Sequence, residues 1–230
     1  MARAELAQFF TPPAVVAFAF DALAALGLRG GRLRIVDPAC GEGAFLQEAA
    51  RRFPEAELWG CDVDAALGDA WEAAGLSGPR VHLRVQDGLV DAPLLGLGAG
   101  GFDVVVGNPP FGFGVPRPAR GERVEQQFVR RFIELAATGG WVAVVVPEGI
   151  LANARSQGLR DWVLERAALR AVVALPEATF AATGTRARTA LVIAQRGEAS
   201  AGTTLLAAPG DGAELSDYLA DVLAELKSRA

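Results

Sequence analysis

Three aspartates stand 25 residues apart, Asp37, Asp62 and Asp87, and the first opens the run DPACGEGAF, which carries Gly41 and Gly43. A glycine pair in a turn after a strand lets a ligand approach the backbone. The acid ahead of those glycines selects the ligand's charge, because Asp37 repels a pyrophosphate and attracts a cation. One βα repeat separates each aspartate from the next, so three carboxylates project from adjacent strand ends over one crevice. A helix cap accounts for any one such acid, and Asp64 is a candidate for that job after Asp62; all three together point to a ligand. A ribose diol for Asp62, an amino-bearing base for Asp87 and positive charge near Asp37 describe S-adenosylmethionine. An acid on ribose hydroxyls also serves NAD, so the choice rests on Asp37 and on the next motif.

That motif is Asn108-Pro109-Pro110-Phe111, directly after the strand-like FDVVVG. Two prolines end the strand and stiffen the turn. A planar amino group is a poor nucleophile because its lone pair is delocalised into the ring. The Asn108 amide oxygen and the Pro109 carbonyl are two acceptors that can take both of its N–H groups and aim the lone pair at a methyl donor. Phe111 offers a flat apolar face for an extruded base.

The elements that must position these residues follow from periodicity. Short β-branched runs near Leu33–Asp37, Glu57–Asp62, Arg80–Val85, Phe102–Gly107, Gly140–Val146, Leu169–Leu175 and Arg188–Gln195 read as strands. Amphipathic stretches near Pro12–Gly27, Ala44–Phe53, Ala65–Ala74, Glu122–Ala137 and Ser156–Ala167 read as helices between them. The alternation predicts an α/β fold, a mostly parallel seven-stranded sheet with helices on both faces. Only twelve residues separate the last two runs, which predicts an antiparallel last strand. Residues 1–196 read as the catalytic domain and 197–230 as a linker with an acidic C-terminal helix, about Ala213–Ser228.

Composition narrows the class. The chain has 230 residues, 51% of them hydrophobic and 21% charged, enough to bury a full core. One histidine (His82) and two cysteines (Cys40, Cys61) exclude a zinc site, a disulfide framework and any mechanism needing two histidines. No apolar run reaches the roughly 18 residues of a membrane span, and no cleavage signature of a signal peptide is present, which predicts a cytoplasmic protein without membrane partners. The net charge of −5 conceals an asymmetry: Phe111–Arg131 carries +3 and Leu151–Arg196 carries +4, leaving −12 elsewhere. Arg117, Arg120, Arg186 and Arg188, in or near loops, are the candidate phosphate contacts. Arg130, Arg160 and Arg166 read as solvated helix positions, and His82 and the four tryptophans as packing.

Taken in order, FFTPPAVVAF, DPACGEGAF, WGCDVD, VQDGL, GNPPFG and TFAATGTRARTALVI resemble the gamma-class N6-adenine DNA methyltransferases of restriction–modification systems, over about Gln8 to Arg196. The resemblance implies the Rossmann-like class I methyltransferase fold and S-adenosylmethionine as cofactor. It implies that Thr11 contacts the methionine part, and that Asp37, with the Pro38, Ala39, Cys40, Gly41 and Gly43 turn, holds the amino acid end. Asp62 then takes the ribose, Asp87 with Gly88 the adenine, and Asn108, Pro109, Pro110 and Phe111 the target amino group and base. Phe180 matches an aromatic that contacts the flipped base.

The class usually carries a target-recognition domain or pairs with a specificity subunit, whereas only 34 residues, six of them acidic, follow Arg196. Recognition of DNA is therefore expected from a partner or a further domain. The competing readings are methylation of RNA or of protein glutamine, which also use an NPP turn, a non-catalytic cofactor-binding subunit, and a nicotinamide oxidoreductase. The intact NPPF opposes the third of these and Asp37 the fourth.

Overall fold

The structure, a computed structural model, describes residues 11–90, 100–111, 122–183, 187–197 and 203–229. The chain runs α1 (Pro13–Ala25), β1 (Arg34–Asp37), α2 (Ala44–Arg52), β2 (Glu57–Asp62), α3 (Gly68–Ala73), β3 (Val81–Val85), β4 (Phe102–Gly107) and α4 (Val124–Leu135). It continues through β5 (Ala136–Pro147), α5 (Glu148–Ala152), α6 (Gln157–Leu164), β6 (Ala167–Ala174), β7 (Thr189–Arg196), β8 (Leu205–Ala207) and α7 (Leu215–Ser228). The strands form one sheet in the order β3-β2-β1-β4-β5-β7-β6-β8.

Side-chain alternation along the strands builds two cores. Ile35, Val104, Val106, Ala143 and Val145 face α1, α2 and α7, whereas Val36, Val105, Val142, Val144 and Val146 face α4, α5 and α6. Helix α1 is apolar almost all round, and seven of its residues are buried. It can be so because it packs against α2, α7 and β5 rather than lying on the surface. Helix α4 is amphipathic, with Phe128, Phe132 and Leu135 on its buried face.

The predicted strands and crossover helices are present, with one correction: the sheet has eight strands, not seven. Strand β8 pairs parallel to β6 at the sheet edge, so the last strand is parallel and β7 is the antiparallel one, between β5 and β6. Three residues in a Gly/Pro/Ala-rich context carry no alternation to read; only the open edge of β6 makes them a strand. The Ala65–Ala74 stretch divides into a 3₁₀ turn (Ala65–Leu67) and α3, the turn being capped by Asp64, whose Oδ1 accepts from the Ala66 N–H at 3.0 Å. A 3₁₀ segment, Glu177–Thr183, joins β6 to β7. Among the described residues no helix is long and apolar enough to cross a membrane.

Leu219, Val222 and Leu226 of α7 belong to the same core cluster as α1. Truncating the buried Leu226 to alanine should therefore cost roughly 2–5 kcal/mol, the range for a core leucine, read as a lowered midpoint of urea unfolding. A helix merely appended to the domain would lose no more than about 0.5 kcal/mol.

Candidate active site

The register places the three acids in a staircase. Asp37 pairs opposite Gly60, and Asp62 opposite Val85. Each acid thus lies two residues beyond its neighbour, a step of roughly 6–7 Å per strand along the carboxyl edge. Contacts between the strand ends make these segments one site. The Ala39 N–H donates to Asp37 Oδ1 at 3.0 Å, and Gly41 N–H to Asp62 Oδ2 at 2.9 Å. Asp62 Oδ1 accepts from Asp64 N–H at 3.1 Å, and Cys40 N–H donates to the Cys61 carbonyl at 2.9 Å. The first two strand ends are therefore hydrogen-bonded to each other through the glycine turn.

Glycine is required where these segments touch. Gly107 has φ +153°, and a Cβ there would stand 2.5 Å from Asp37 Oδ1. The backbone just before Asn108 therefore lies directly on the Asp37 carboxyl. Gly88 brings the third strand's loop in the same way, since a Cβ on it would overlap the Pro38 carbonyl oxygen. Gly43 adopts φ +88° as it enters α2.

Burial sets the electrostatics. Asp37 is 1% exposed, and desolvation pushes its pKa up to about 8, against the Ala39 N–H bond and with help from the Asp62 charge. Burial also raises Asp62. The thiols of Cys40 and Cys61 are buried and pushed up by the same desolvation, Cys61 to about 12, so neither is a nucleophile at neutral pH. A buried acid with no cation beside it among the described residues fits a positively charged ligand, and the donors and acceptors of this edge fit S-adenosylmethionine. Asp37 suits the amino acid end, Asp62 a diol, and Asp87 with the Gly88 backbone a purine.

The remaining predicted residues are placed as follows. Asn108 and Pro109 continue directly from Gly107, and Asn108 is half-buried with its Oδ1 covered. Asp87 is exposed, its Oδ1 accepting from Leu89 N–H at 2.9 Å. Thr11 lies one residue ahead of Pro12, the N-cap of α1. Phe111 and Phe180 are 4% and 1% exposed, Phe180 within the core that contains Val15 and Phe18; stacking of a base on either ring requires that ring to be uncovered. Arg188 is exposed and paired with Glu177 at 2.5 Å. Arg117, Arg120 and Arg186 lie outside the described residues.

The three positions read as solvated also make contacts, and Arg166 stays exposed. Arg130 and Arg166 both lie over the Trp162 ring, at 4.8 and 4.6 Å, and Arg160 donates to the Ile150 and Asn153 carbonyls. His82 is a packed side chain, stacked 3.9 Å from Trp59. Trp71, read only as packing, also donates its Nε1 to the Gly41 carbonyl at 2.7 Å and fixes the glycine turn. The sequence reading missed Val63, 54% exposed beside Asp62. It also missed Arg131. Its position, three residues after Phe128 and four before Leu135, puts it on the apolar stripe of α4, a signal that was present in the sequence.

Residues 74–213 match the family model described as N-6 DNA methylase. The chain belongs to this family. In fold it is similar to the modification subunit of a putative type I restriction enzyme from Vibrio vulnificus YJ016, with a TM-score of 0.76 at 22% identity, covering 97% of this chain and 53% of that one. The type I restriction enzyme EcoKI M protein gives a TM-score of 0.72 at 20% identity over 94% of this chain and 53% of its own. Both likenesses establish the class I methyltransferase fold. A curated relative, the ribosomal RNA small subunit methyltransferase C of Hahella chejuensis, is 30% identical over 113 residues, 49% of this chain and 30% of that protein. The chain thus spans about half the length of these solved structures and under a third of the curated relative. The family match begins after Asp62, so the Asp37–Asp62 half of the site lies ahead of it.

Burial of Asp37 yields a test with a definite sign. Its folded pKa, about 8, lies above the ordinary 3.8. The folded state therefore holds the proton more tightly, and the stability this proton contributes is complete below pH 3.8 and lost as pH rises through about 8. Asp37→Asn cannot titrate yet keeps an oxygen for Ala39 N–H. Its melting temperature should exceed that of the parent by a margin that grows from about pH 4 to pH 8. A margin independent of pH would show that Asp37 is not buried as a neutral acid.

Proposed function

We propose that this chain transfers a methyl group from S-adenosylmethionine to the N6 amino group of adenine in DNA. The observation that carries the reading is the contact between the buried Asp37 carboxyl and Gly107: a site suited to a cation adjoins the Asn108-Pro109 turn, whose two acceptors must be uncovered to meet a substrate. When bound, the cofactor supplies an electrophilic methyl carbon. Asp37 holds its ammonium end, and Asp62 and Asp87 hold ribose and adenine. The Asn108 Oδ1 and the Pro109 carbonyl accept the two N–H groups of the target amine and direct its lone pair at the methyl carbon. Pro110 stiffens that turn, and Phe111 and Phe180 contact the extruded base once uncovered. Because Asp37 is neutral in the ligand-free site near pH 7, binding a cation there draws its proton off, so affinity rises with pH toward about 8.

The type I modification subunits named above support a partner that reads the DNA sequence, either a specificity subunit or a target-recognition domain. We place the enzyme in the cytoplasm with those partners, with Arg117, Arg120, Arg186 and Arg188 on phosphates. Methylation of ribosomal RNA is the second reading, favoured by the 30% identity to the small-subunit methyltransferase. Transfer of a labelled methyl group to duplex DNA rather than to ribosomal RNA decides between them; label in RNA alone would overturn the first.

Binding and chemistry separate by mutation. Asp62→Ala should weaken cofactor binding roughly tenfold or more, since hydrogen bonds to a charged group are worth about 1.5–3 kcal/mol each. Asn108→Ala should leave that affinity nearly intact and slow methylation on the order of 10²–10³-fold, by analogy with losing one oxyanion-hole donor. Calorimetry and single-turnover transfer check the pair, and near-normal turnover by Asn108→Ala would remove the NPPF turn from the mechanism.

A further inference from the structure

Arg131 is 8% exposed, on the buried face of α4. A guanidinium does not give up its charge, so its burial must be offset by acceptors. Two of these come from the loop after β3: Nε donates to the Gly88 carbonyl at 3.0 Å and Nη2 to the Val90 carbonyl at 3.3 Å. That loop is a tight turn, closed by Leu89 N–H on Asp87 Oδ1 and by Val90 N–H on the Asp87 carbonyl. Its other side rests on Pro38, where Gly88 leaves no room for a Cβ. The loop is thus held between the Asp37–Pro38 turn and the α4 guanidinium. Arg131 also shares the electrostatic neighbourhood of the three acids: Asp37, Asp62 and Asp87 push the Cys61 thiol up after desolvation, and Arg131 opposes them.

We propose that Arg131 is the positioning residue that sets the Asp87–Gly88 loop for the adenine end of the cofactor. The inference rests on the cofactor reading above and extends it to a residue outside the crevice. The rigid fork of the guanidinium fixes the spacing of two carbonyls at once, which a lysine ammonium cannot do. With the fork in place, Asp87 and the Gly88 N–H stand at a fixed height against Pro38. Without it, α4 no longer braces the loop, whereas the ribose and amino acid contacts at Asp62 and Asp37 stay as they are.

The test is calorimetry on the full chain with three ligands: S-adenosylmethionine, its nucleoside half 5′-methylthioadenosine, and methionine. Arg131→Met should lower affinity for the first two by the same factor, roughly tenfold or more for two charge-assisted bonds, and leave methionine unchanged. Arg131→Lys keeps the charge and one donor, so it should lose only about three- to tenfold, the worth of one hydrogen bond. This second variant decides the matter if Arg131→Met does not fold, as judged by circular dichroism. Folded variants binding both adenosyl ligands at parent affinity would overturn the inference while leaving the cofactor assignment standing. An equal loss for methionine would also overturn it, because the effect would then not be confined to the adenine end. Failure of the parent chain itself to bind S-adenosylmethionine overturns the underlying reading, and this inference with it.

Discussion

The carboxyl of Asp37 lies at the end of β1, in the middle of the parallel half of the sheet, with the Ala39 N–H on one oxygen and the Gly107 backbone against it. Around it the chain makes a series of close approaches that tolerate no side chain. Gly107 meets Asp37, Gly88 meets Pro38, and Gly60 of β2 sits under Cys40, Leu46 and Leu83. The burden of keeping an acid dry falls on the surrounding packing, because desolvation opposes its charged form. The sheet order follows the same need, since β1 can meet both the Asp62 strand and the NPPF strand only with β2 on one side and β4 on the other.

Rigidity at this edge comes from side chains that do no chemistry themselves. Trp71 ties the glycine turn to α3, and Asp62 joins β2 to that turn through the Gly41 N–H. Arg131 ties the third loop to α4. Each links two sequence-distant segments through a backbone carbonyl or N–H, so the geometry of the crevice is set by main-chain positions. The rings of Phe111 and Phe180 are by contrast held by burial in the packed interior.

Much was legible in the chain by itself. The regular spacing of Asp37, Asp62 and Asp87, the Gly41/Gly43 turn and the Asn-Pro-Pro-Phe run are local, so propensity and motif chemistry reveal them without any tertiary knowledge. The same holds for β2 and β4, whose bounds match the predicted strands residue for residue, because a strand covered on both faces carries a largely apolar centre. The Asp64 cap and the packed His82 followed equally from local chemistry.

What required the tertiary structure was everything decided by a neighbour distant in sequence. β8 is a strand only because β6 offers an unpaired edge. Arg130 of α4 loses part of its solvated character because Trp162 of α6 lies under its guanidinium. That burial pushes the Asp37 pKa up depends on the Gly107 backbone of β4 against its carboxyl, and Phe180 is a core residue because the 3₁₀ segment carries it into the cluster that also holds α1. Residue type and spacing determined which groups are available for chemistry. Their protonation, exposure and bracing came from packing across the sheet, where desolvation and close backbone approach act between segments that no window of sequence contains.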